Sequence, residues 1–363
     1  MTKPPKSTLS IPNNKITWFY YNNIESLMLY RGTWESCLSG AESTFFTSYS
    51  WTSQWLQTFW NDTCELHFFM VFDQDKCVLF APFYIQNSTK FPFIKTLSLL
   101  GQGEDEACEV SSEYQDIYLH EDYQFLLKEL AKKINALKFD HLNIRALLEN
   151  SHLLGLCSYL ANSTSFDAGM RFTYSSTHNS VPTLSKNTKS KLNKCKNKLA
   201  ALNAEFIWVD TKDYDTYWQM MKKFHQLRWT KLGKNGAFCH EKFSQFHTDY
   251  RKINVDKIKI SAVLVENTPI AIHYYFINNN TLYFYQSGWD ETHYANVSPS
   301  FALHVWCMNN NPVVLYDFMM GNTHNSYKAK LGCNQNSKMY HVAFVRNNIK
   351  YTLAKLINKL TPN

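Results

Sequence analysis

Apolar and polar residues in the second half of the chain follow first a helical and then a strand-like period. Apolar positions recur at helical spacing through residues 217–232, which predicts an amphipathic helix. Three apolar runs follow, each ended by a turn signal of Asn, Pro or Gly, at residues 258–266, 270–277 and 282–288. This order predicts a helix followed by three antiparallel strands.

The loop that leaves the third strand contains Ser298-Pro299-Ser300. Ser298 can cap a helix, and Pro299 suits its first turn, where a missing N–H costs nothing. The apolar run at 313–318 then predicts a further strand, parallel to the third. A helix N-terminus held between two parallel strands presents free N–H groups and a positive dipole end. We therefore expect phosphate or pyrophosphate to bind there.

The first half repeats this order of elements. We predict a helix at 51–60, strands at 66–72, 78–85 and 116–119, a helix at 123–137 and a strand at 141–145. A repeated order of elements indicates duplicated domains. The predicted organisation is a disordered lead-in (1–14), an N-terminal domain (15–165), a Ser/Thr/Asn-rich linker (166–183), a C-terminal domain (184–350) and a tail (351–363).

Composition narrows the class of protein. The chain has 363 residues, of which 45% are hydrophobic and 18% charged, as expected for a globular protein. No apolar run reaches the roughly 18 to 20 residues that span a bilayer, and residues 1–14 contain no apolar signal-peptide region. Nine scattered cysteines without a C-x-x-C pair favour reduced thiols, and thirteen histidines show no metal-ligand spacing. We therefore expect a cytoplasmic protein without a bound metal.

Aromatic content and charge leave two questions open. Aromatic residues make up 16% of the chain, which fits an aromatic core, with a sugar-binding or base-stacking surface as the alternative. The net charge of +7 favours an anionic ligand or partner without identifying it.

Residues 185–202 form a lysine-rich helical pattern. Five apolar positions share one stripe of this helix: Leu184, Leu192, Cys195, Leu199 and Leu202. The lysines occupy the whole remaining circumference, which favours a helix packed on the body with solvated lysines. Binding to an anionic ligand, an acidic lipid surface or a polyanion is the alternative, although no DNA- or RNA-binding motif accompanies the helix.

Two polar residues interrupt the apolar face of the helix at 217–232. His225 and Arg228 lie on the same side as Trp218 and Met221. Because a buried Arg must be paired and a buried His hydrogen-bonded, either these residues form a structural network or the helix lines a wet cleft. In a cleft, Arg228 suits a carboxylate or phosphate, and His225 can act as a general base.

The ordered set of short motifs resembles tandem domains of the GCN5-related N-acetyltransferase (GNAT) fold. More closely, it resembles the acetyltransferase family associated with bacterial cellulose biosynthesis, a relative of the Fem-type peptidoglycan aminoacyl transferases. In the first half the motifs are Trp51-Thr52-Ser53-Gln54-Trp55, Ala81-Pro82-Phe83-Tyr84, Gly101-Gln102-Gly103 and Ser112-Glu113-Tyr114. In the second they are Ser185-Lys186, Phe224 to Trp229, Gly236-Ala237-Phe238, Ser287-Gly288, Ser298-Pro299-Ser300, Tyr316-Asp317-Phe318 and Tyr327-Lys328.

The resemblance implies an α/β fold of two GNAT-like domains, each a mixed, mostly antiparallel sheet flanked by helices. It further implies transfer of an acetyl or longer acyl group from acyl-CoA, as co-substrate, to an amine or hydroxyl. Backbone at Ser298, Ser300 and Phe301, with Gly288, would bind the cofactor moiety, and Lys328 would stabilise the oxyanion beside Tyr327. The candidate catalytic residues are thus Lys328 and His225, and the candidate substrate-binding residues are Arg228, Tyr285 and Tyr327.

The chain departs from the family pattern at three places. Ser300 stands where relatives have Gly, and Met320-Gly321-Asn322 replaces charged residues before Tyr327. The first half has no Ser-Pro cap before its second helix, which predicts that it has lost donor binding. Glu104, Asp105 and Glu106 form either a solvated acidic loop or the source of a carboxylate base whose pKa would have to be raised.

The resulting hypothesis is an acyl-CoA-dependent N- or O-acyltransferase, with a glycan precursor as the acceptor suggested by the family. A transferase that uses aminoacyl-tRNA is the first alternative, and the lysine-rich helix would then contact tRNA. A catalytically inactive glycan-binding or scaffold protein is the second alternative. No DNA partner is expected.

Overall fold

A computed structural model describes residues 16–39, 44–88, 90–160, 163–175, 183–321, 327–346 and 348–360 of the chain. The strands are β1 (Ile16–Tyr21), β2 (Glu65–Asp73), β3 (Lys76–Asn87), β4 (Lys95–Leu99), β5 (Tyr118–Leu119), β6 (His141–Leu148), β7 (Thr164–Ser175), β8 (Glu205–Trp208), β9 (Ile258–Val265), β10 (Thr268–Asn278), β11 (Thr281–Trp289), β12 (Leu315–Gly321) and β13 (Gln335–Val345). The helices are α1 (Ile24–Leu29), α2 (Arg31–Ser39), α3 (Tyr49–Phe59), α4 (Leu126–Ala136), α5 (His152–Cys157), α6 (Lys186–Ala201), α7 (Tyr214–Lys231), α8 (Glu241–Ile253), α9 (Pro299–Asn309) and α10 (Asn348–Leu360).

The strands form one continuous sheet in the order β1-β2-β3-β4-β6-β13-β7-β12-β11-β10-β9-β8, with β5 paired to β3. Two neighbouring pairs, β4 with β6 and β11 with β12, are parallel, and the other pairs are antiparallel. The predicted α/β class with a mostly antiparallel sheet flanked by helices is confirmed. The two predicted sheets, however, are joined edge to edge into one.

The halves are joined because each contributes its last strand to the other. Strand β13, from the end of the chain, pairs with β6 of the first half, whereas β7 pairs with β12 of the second half. The two exchanged strands also pair with each other from Gln335↔Thr173 to Ala343↔Thr164. The prediction of a linker at 166–183 is therefore wrong over residues 166–175, which lie in a central strand.

Helices cover both faces of the sheet. One aromatic core spans both halves beneath α1, α2, α3, α7 and α8. Within it, Phe45 stacks on Phe276 at 4.3 Å between ring centroids, and Trp51 packs edge-on against Phe246 at 4.6 Å. On the opposite face, α4 and α5 cover the first half and α6 and α9 cover the second. Strands such as β3 and β10 are apolar on both sides because both sides are buried.

Three further predictions need correction or fall outside the described residues. The third strand after helix α3 is β4, not residues 116–119, of which only Tyr118–Leu119 are strand. Strand β4 was missed because it is short and contains Lys, Thr and Ser among its two leucines. The predicted tail at 351–363 belongs to α10 up to residue 360, and the predicted lead-in lies outside the described residues.

None of the helices in the described part of the chain combines the length and the apolar character needed to cross a bilayer.

Candidate active site

A V-shaped gap opens between β11 and β12. The two strands pair in parallel at Thr281↔Leu315, Leu282↔Tyr316 and Tyr283↔Asp317, and they then diverge. Beyond this point β11 stays paired with β10, whereas β12 stays paired with β7. Because α9 connects the two strands, its N-terminus lies at the open end of the gap, as the sequence predicted.

The first turn of α9 differs from the prediction in one respect. Pro299 occupies the first turn as expected, but Ser298 adopts a left-handed conformation (φ 54°) and makes no side-chain capping bond. Instead, the Ser298 carbonyl accepts the N–H of Phe301 at 3.1 Å. The Ser300 hydroxyl lies 2.7 Å from Nε2 of His273 on β10. Ser300 therefore ties the helix start to the sheet.

A buried polar network lies beneath this turn, and sequence analysis missed it. Nδ1 of His273 lies 3.1 Å from the hydroxyl of Tyr275, which also approaches the hydroxyl of Tyr316 at 3.4 Å. His304 on α9 lies 2.9 Å from Tyr316 through Nδ1, and its ring stands 4.3 Å from that of His273. Burial lowers the pKa of His273 to about 3, so its imidazole ring is uncharged at neutral pH. The network ties the first turn of α9 to β10 and β12.

The lysine-rich helix α6 packs along α9. The predicted stripe is confirmed, because Leu192, Cys195 and Leu199 are buried against the second-half core. Nζ of Lys191 lies 4.8 Å from the ring centroid of Phe301, and Nζ of Lys198 donates to the carbonyl of Asn296 at 2.7 Å. Two exposed lysines therefore stand beside the N-terminus of α9, and both favour an anion there.

Lys328 and Glu113 meet at the open end of β12. Nζ of Lys328 donates to the carbonyls of Phe318 and Met320 at 2.6 Å each. Glu113 accepts the N–H of Met320 at 2.8 Å. Burial raises the pKa of Glu113 to about 7, with Lys328 partly opposing the rise, and burial likewise lowers the pKa of Lys328. A carboxylate that exchanges its proton near neutral pH is suited to general acid–base chemistry.

A bulge in β12 orients this end of the strand. The pairing with β7 shifts between Asp317 and Met320, and Met319 has a positive φ of 60°. Asp317 is fully buried, accepts the N–H of Met319 at 2.7 Å and receives the guanidinium of Arg171 at 2.7 Å. The hydroxyl of Tyr114 donates a further hydrogen bond to Asp317 at 3.3 Å. Residue 322, part of the predicted departure from the family, lies outside the described residues.

The acidic segment, defined as residues 104–113, crosses from the first half toward the second. Glu104 is 7% exposed and accepts from Nε1 of Trp55 and the N–H of Val110, both at 2.8 Å. Burial raises the pKa of Glu104 to about 7. The Val110 carbonyl in turn accepts the hydroxyl of Tyr285 at 2.7 Å. The segment is therefore an ordered interface between the halves, and its base candidate in the gap is Glu113.

Two cavities open on either side of the acidic segment. The larger cavity has a volume of about 690 Å³ and lies between the segment, α7, residues 235–240 and the end of β11. The second, of about 530 Å³, contains Glu113, Arg145 and Met320. Glu106, Glu109 and Ser111 line both cavities, so the two share one wall.

The predicted site residues of α7 line the larger cavity. His225 is 6% exposed, and its Nε2 accepts from Nε1 of Trp229 at 2.9 Å. Burial lowers the pKa of His225 to about 4, which makes it a weak base at neutral pH. Arg228 is half exposed, and its Nε lies 3.2 Å from Glu291. These contacts favour a binding role over the predicted catalytic role for His225.

The other predicted residues separate into two groups. A Cβ on Gly288 would lie 2.4 Å from the carbonyl of Met221, so Gly288 allows α7 to approach β11 closely. Tyr285 is the extra residue of a bulge in β11 and is held in the interface by Val110. Tyr327 is half exposed and lies beside His304, at 5.8 Å between ring centroids. Gly288 and Tyr285 thus have clear packing roles, whereas Tyr327 lies at the gap.

The corresponding gap in the first half is closed. Strands β4 and β6 pair only at Thr96↔His141 and Leu97↔Leu142 before they diverge. The side chain of Gln102 occupies the space between the two diverging strands. It accepts the N–H of Arg145 at 3.1 Å and donates to the Arg145 carbonyl at 2.9 Å. This buried amide replaces a strand-pairing residue and supports the predicted loss of donor binding in this half.

Comparisons with known proteins agree with this geometry. Residues 186–329 match the sequence model of the acetyltransferase (GNAT) domain, and no curated protein matches the chain. The match confirms the resemblance to GNAT acyltransferases for this stretch, which contains β11, α9 and β12. The finer resemblance, to the cellulose-biosynthesis-associated family, stays a prediction.

Solved structures share the fold over nearly the whole chain. The crystal structure of FemX is 8% identical, with a TM-score of 0.61 over 89% of this chain and 98% of that one. L-PGS from Bacillus licheniformis is 11% identical, with a TM-score of 0.52 over 92% and 97%. A conserved protein of unknown function from Bacteroides thetaiotaomicron is 10% identical, with a TM-score of 0.52 over 90% and 100%. At such identities the likeness concerns the fold alone.

Proposed function

We propose that this protein is an acyltransferase that moves an acetyl or longer acyl group from acyl-CoA to an amine or hydroxyl acceptor. The observation that carries the proposal is the gap between β11 and β12, with a helix N-terminus on one side and Glu113 and Lys328 at its open end. The match of residues 186–329 to the GNAT acetyltransferase domain supports it.

In this proposal the donor enters the gap with its pyrophosphate at the first turn of α9. The helix dipole and the neighbouring Lys191 and Lys198 stabilise the phosphate charge. The acyl group then lies near Met320, which lines the smaller cavity. Because Gln102 closes the corresponding gap of the first half, we expect one donor for each chain.

The proposed chemistry uses Glu113 and Lys328, the two residues whose side chains bind the backbone of Met320. The acceptor nitrogen or oxygen attacks the thioester carbonyl, and its proton passes to the Glu113 carboxylate. The positive charge of Lys328 stabilises the oxyanion of the tetrahedral intermediate. The carbon–sulfur bond then breaks, the CoA thiolate leaves and takes up a proton, and the acylated acceptor is released. The family resemblance suggests a cell-surface glycan precursor as the acceptor.

A second candidate function is transfer from an aminoacyl-tRNA. The exposed lysines of α6 beside the N-terminus of α9 favour it, since a polyanion could bind along that helix. The fold shared with FemX is compatible with both donors.

Calorimetric titration with acetyl-CoA, and with free CoA for comparison, tests the proposal. We expect binding at one site for each chain. Ser300→Asp should abolish binding, because it adds a negative charge at the first turn of α9. Ser300→Asn introduces a side chain of the same size as aspartate without the charge, and this variant should bind within a few-fold of the native protein. Failure of the native protein to bind either ligand would overturn acyl-CoA dependence. Salt-sensitive binding of charged tRNA in the same protein would then favour the second candidate.

A further inference from the structure

The wall of the larger cavity contains a buried hydrogen-bond donor that no described residue satisfies. An indole N–H only donates, so the bond from Trp229 shows that Nε2 of His225 carries a lone pair. In a neutral imidazole the proton then lies on Nδ1. That atom is buried and has no hydrogen-bond partner among the described residues. Leaving such a donor unpaired costs about 1 to 3 kcal/mol, so binding energy is gained when the imidazole turns toward the cavity and meets an acceptor oxygen of a ligand.

The same wall carries a guanidinium. Arg228 follows His225 by three residues on α7, and both line the larger cavity. Glu291 engages Nε of Arg228, while the side chain as a whole is about half exposed. Arginine presents five N–H donors in a planar fork that fits carboxylate and phosphate oxygens. A neutral imidazole donor next to a guanidinium is a pair suited to an anionic oxygen group.

The opposite wall has the opposite charge. Glu106 and Glu109 face the cavity from the acidic segment, and the carboxylate of Glu109 is paired with Arg145 at 2.6 Å. Glu113 lies beyond them in the adjoining cavity. A cationic amine would be stabilised on this side, close to the base that takes its proton.

We propose that the acceptor is a molecule that carries an anionic oxygen group, a carboxylate or a phosphate, in addition to the amine that is acylated. The anionic group binds the guanidinium of Arg228 and, once the imidazole turns toward the cavity, Nδ1–H of His225. The amine points toward the acidic segment and Glu113. This inference rests on the proposed acyltransferase function and names its acceptor class.

The test compares matched amines that differ in the anionic group. Suitable pairs are glucosamine 6-phosphate with glucosamine, 4-aminobutyrate with butylamine, and lysine with cadaverine. Binding is measured without donor, by the shift in melting temperature and by ligand-observed NMR, and acylation is then measured with acetyl-CoA. We expect the anionic member of at least one pair to bind and to react about tenfold or more better, as a hydrogen bond to a charged group allows.

Variants of the two residues sharpen the test. His225→Gln keeps an acceptor for Trp229 but displaces the donor, and Arg228→Gln removes the charge, so each should reduce the preference about tenfold. His225→Asn keeps an N–H donor near the position of Nδ1 and should retain most of it. Lys231→Gln, an exposed position at the end of α7, removes a charge outside the cavity and should leave the preference unchanged.

Each outcome decides the inference. Equal binding of both members of every pair, no binding of any anionic member at millimolar concentration, or a preference that survives both His225→Gln and Arg228→Gln overturns it. Such a result together with normal acetyl-CoA binding leaves the proposed function intact. A preference for anionic amines in a protein that binds no acetyl-CoA supports the cavity assignment while refuting the proposed donor.

Discussion

Glu113 and Lys328 bind the two polar groups of a single residue in β12. The Glu113 carboxylate accepts the N–H of Met320 at 2.8 Å, and the Lys328 ammonium donates to its carbonyl at 2.6 Å. The two side chains come from opposite halves of the chain and carry opposite charges. This arrangement around Met320 therefore exists only once both halves have packed together.

Lys328→Met should lower turnover about 10²- to 10³-fold, because it removes the charge expected to stabilise the oxyanion. Donor affinity should stay within a few-fold, since the pyrophosphate binds at α9. Steady-state kinetics and calorimetry with acetyl-CoA measure the two effects separately. Lys330→Met changes an exposed lysine two residues away and should leave both unchanged. Unaltered turnover in Lys328→Met would remove this residue from the mechanism.

Glu113→Gln should lower kcat/KM about 10²- to 10⁴-fold and abolish its dependence on pH near neutrality. A general base must be deprotonated, so in the native protein kcat/KM should rise with pH up to the pKa of about 7 and then level off. Rates between pH 5.5 and about 8.5 give the profile. Glu149→Gln, at an exposed position, is the control. A rising limb that persists in Glu113→Gln would assign the base elsewhere.

Glu104→Gln should flatten the pH dependence of the free energy of unfolding. The pKa of Glu104 is raised to about 7, so the folded state binds its proton more tightly than the unfolded state. This stability is fully present below the unfolded pKa of about 4.5 and is lost as pH rises through about 7, by up to about 3 kcal/mol. Urea unfolding at pH 5 and at pH 8 measures the difference. An equally steep loss in Glu104→Gln would contradict the assignment.

Gly288→Ala should destabilise the protein by about 1 to 3 kcal/mol, because its Cβ would lie 2.4 Å from the carbonyl of Met221 and force α7 away from β11. Gly32→Ala is the matched control in α2, where no atom lies within 4 Å of the new Cβ. That change should stabilise by about 0.5 to 1 kcal/mol, since alanine favours helix. Thermal unfolding of both variants provides the comparison. Equal effects would show that α7 tolerates displacement.

Local patterns in the sequence predicted much of the second half. The predicted helix at 217–232 and strands at 258–266, 270–277 and 282–288 agree with α7, β9, β10 and β11 to within a few residues. The apolar stripe of α6 and the helix start at Pro299 were also predicted correctly. These features depend on residues within one or two turns or on strand alternation, which the sequence displays directly.

Features that depend on distant parts of the chain were not predicted. The pairing of β7 with β13 joins residues about 160 to 180 positions apart. The local sequence of β7 is polar, and by itself it predicts a linker. Gln102 closes the first-half gap only because Arg145 lies opposite it. The base candidate Glu113 belongs to a motif that the sequence analysis quoted, but its raised pKa arises from burial between the halves.

The sequence by itself determined α7, the strands β9 to β12, the GNAT resemblance and the position of α9 between β11 and β12. These follow from short-range periodicity and motif spacing. The tertiary structure decided that the halves share one sheet, that Glu113 and Lys328 meet on Met320, and that His225 keeps a buried, unpaired N–H in a cavity wall. Burial and long-range contacts set these properties, because both depend on which distant residues exclude water from a side chain.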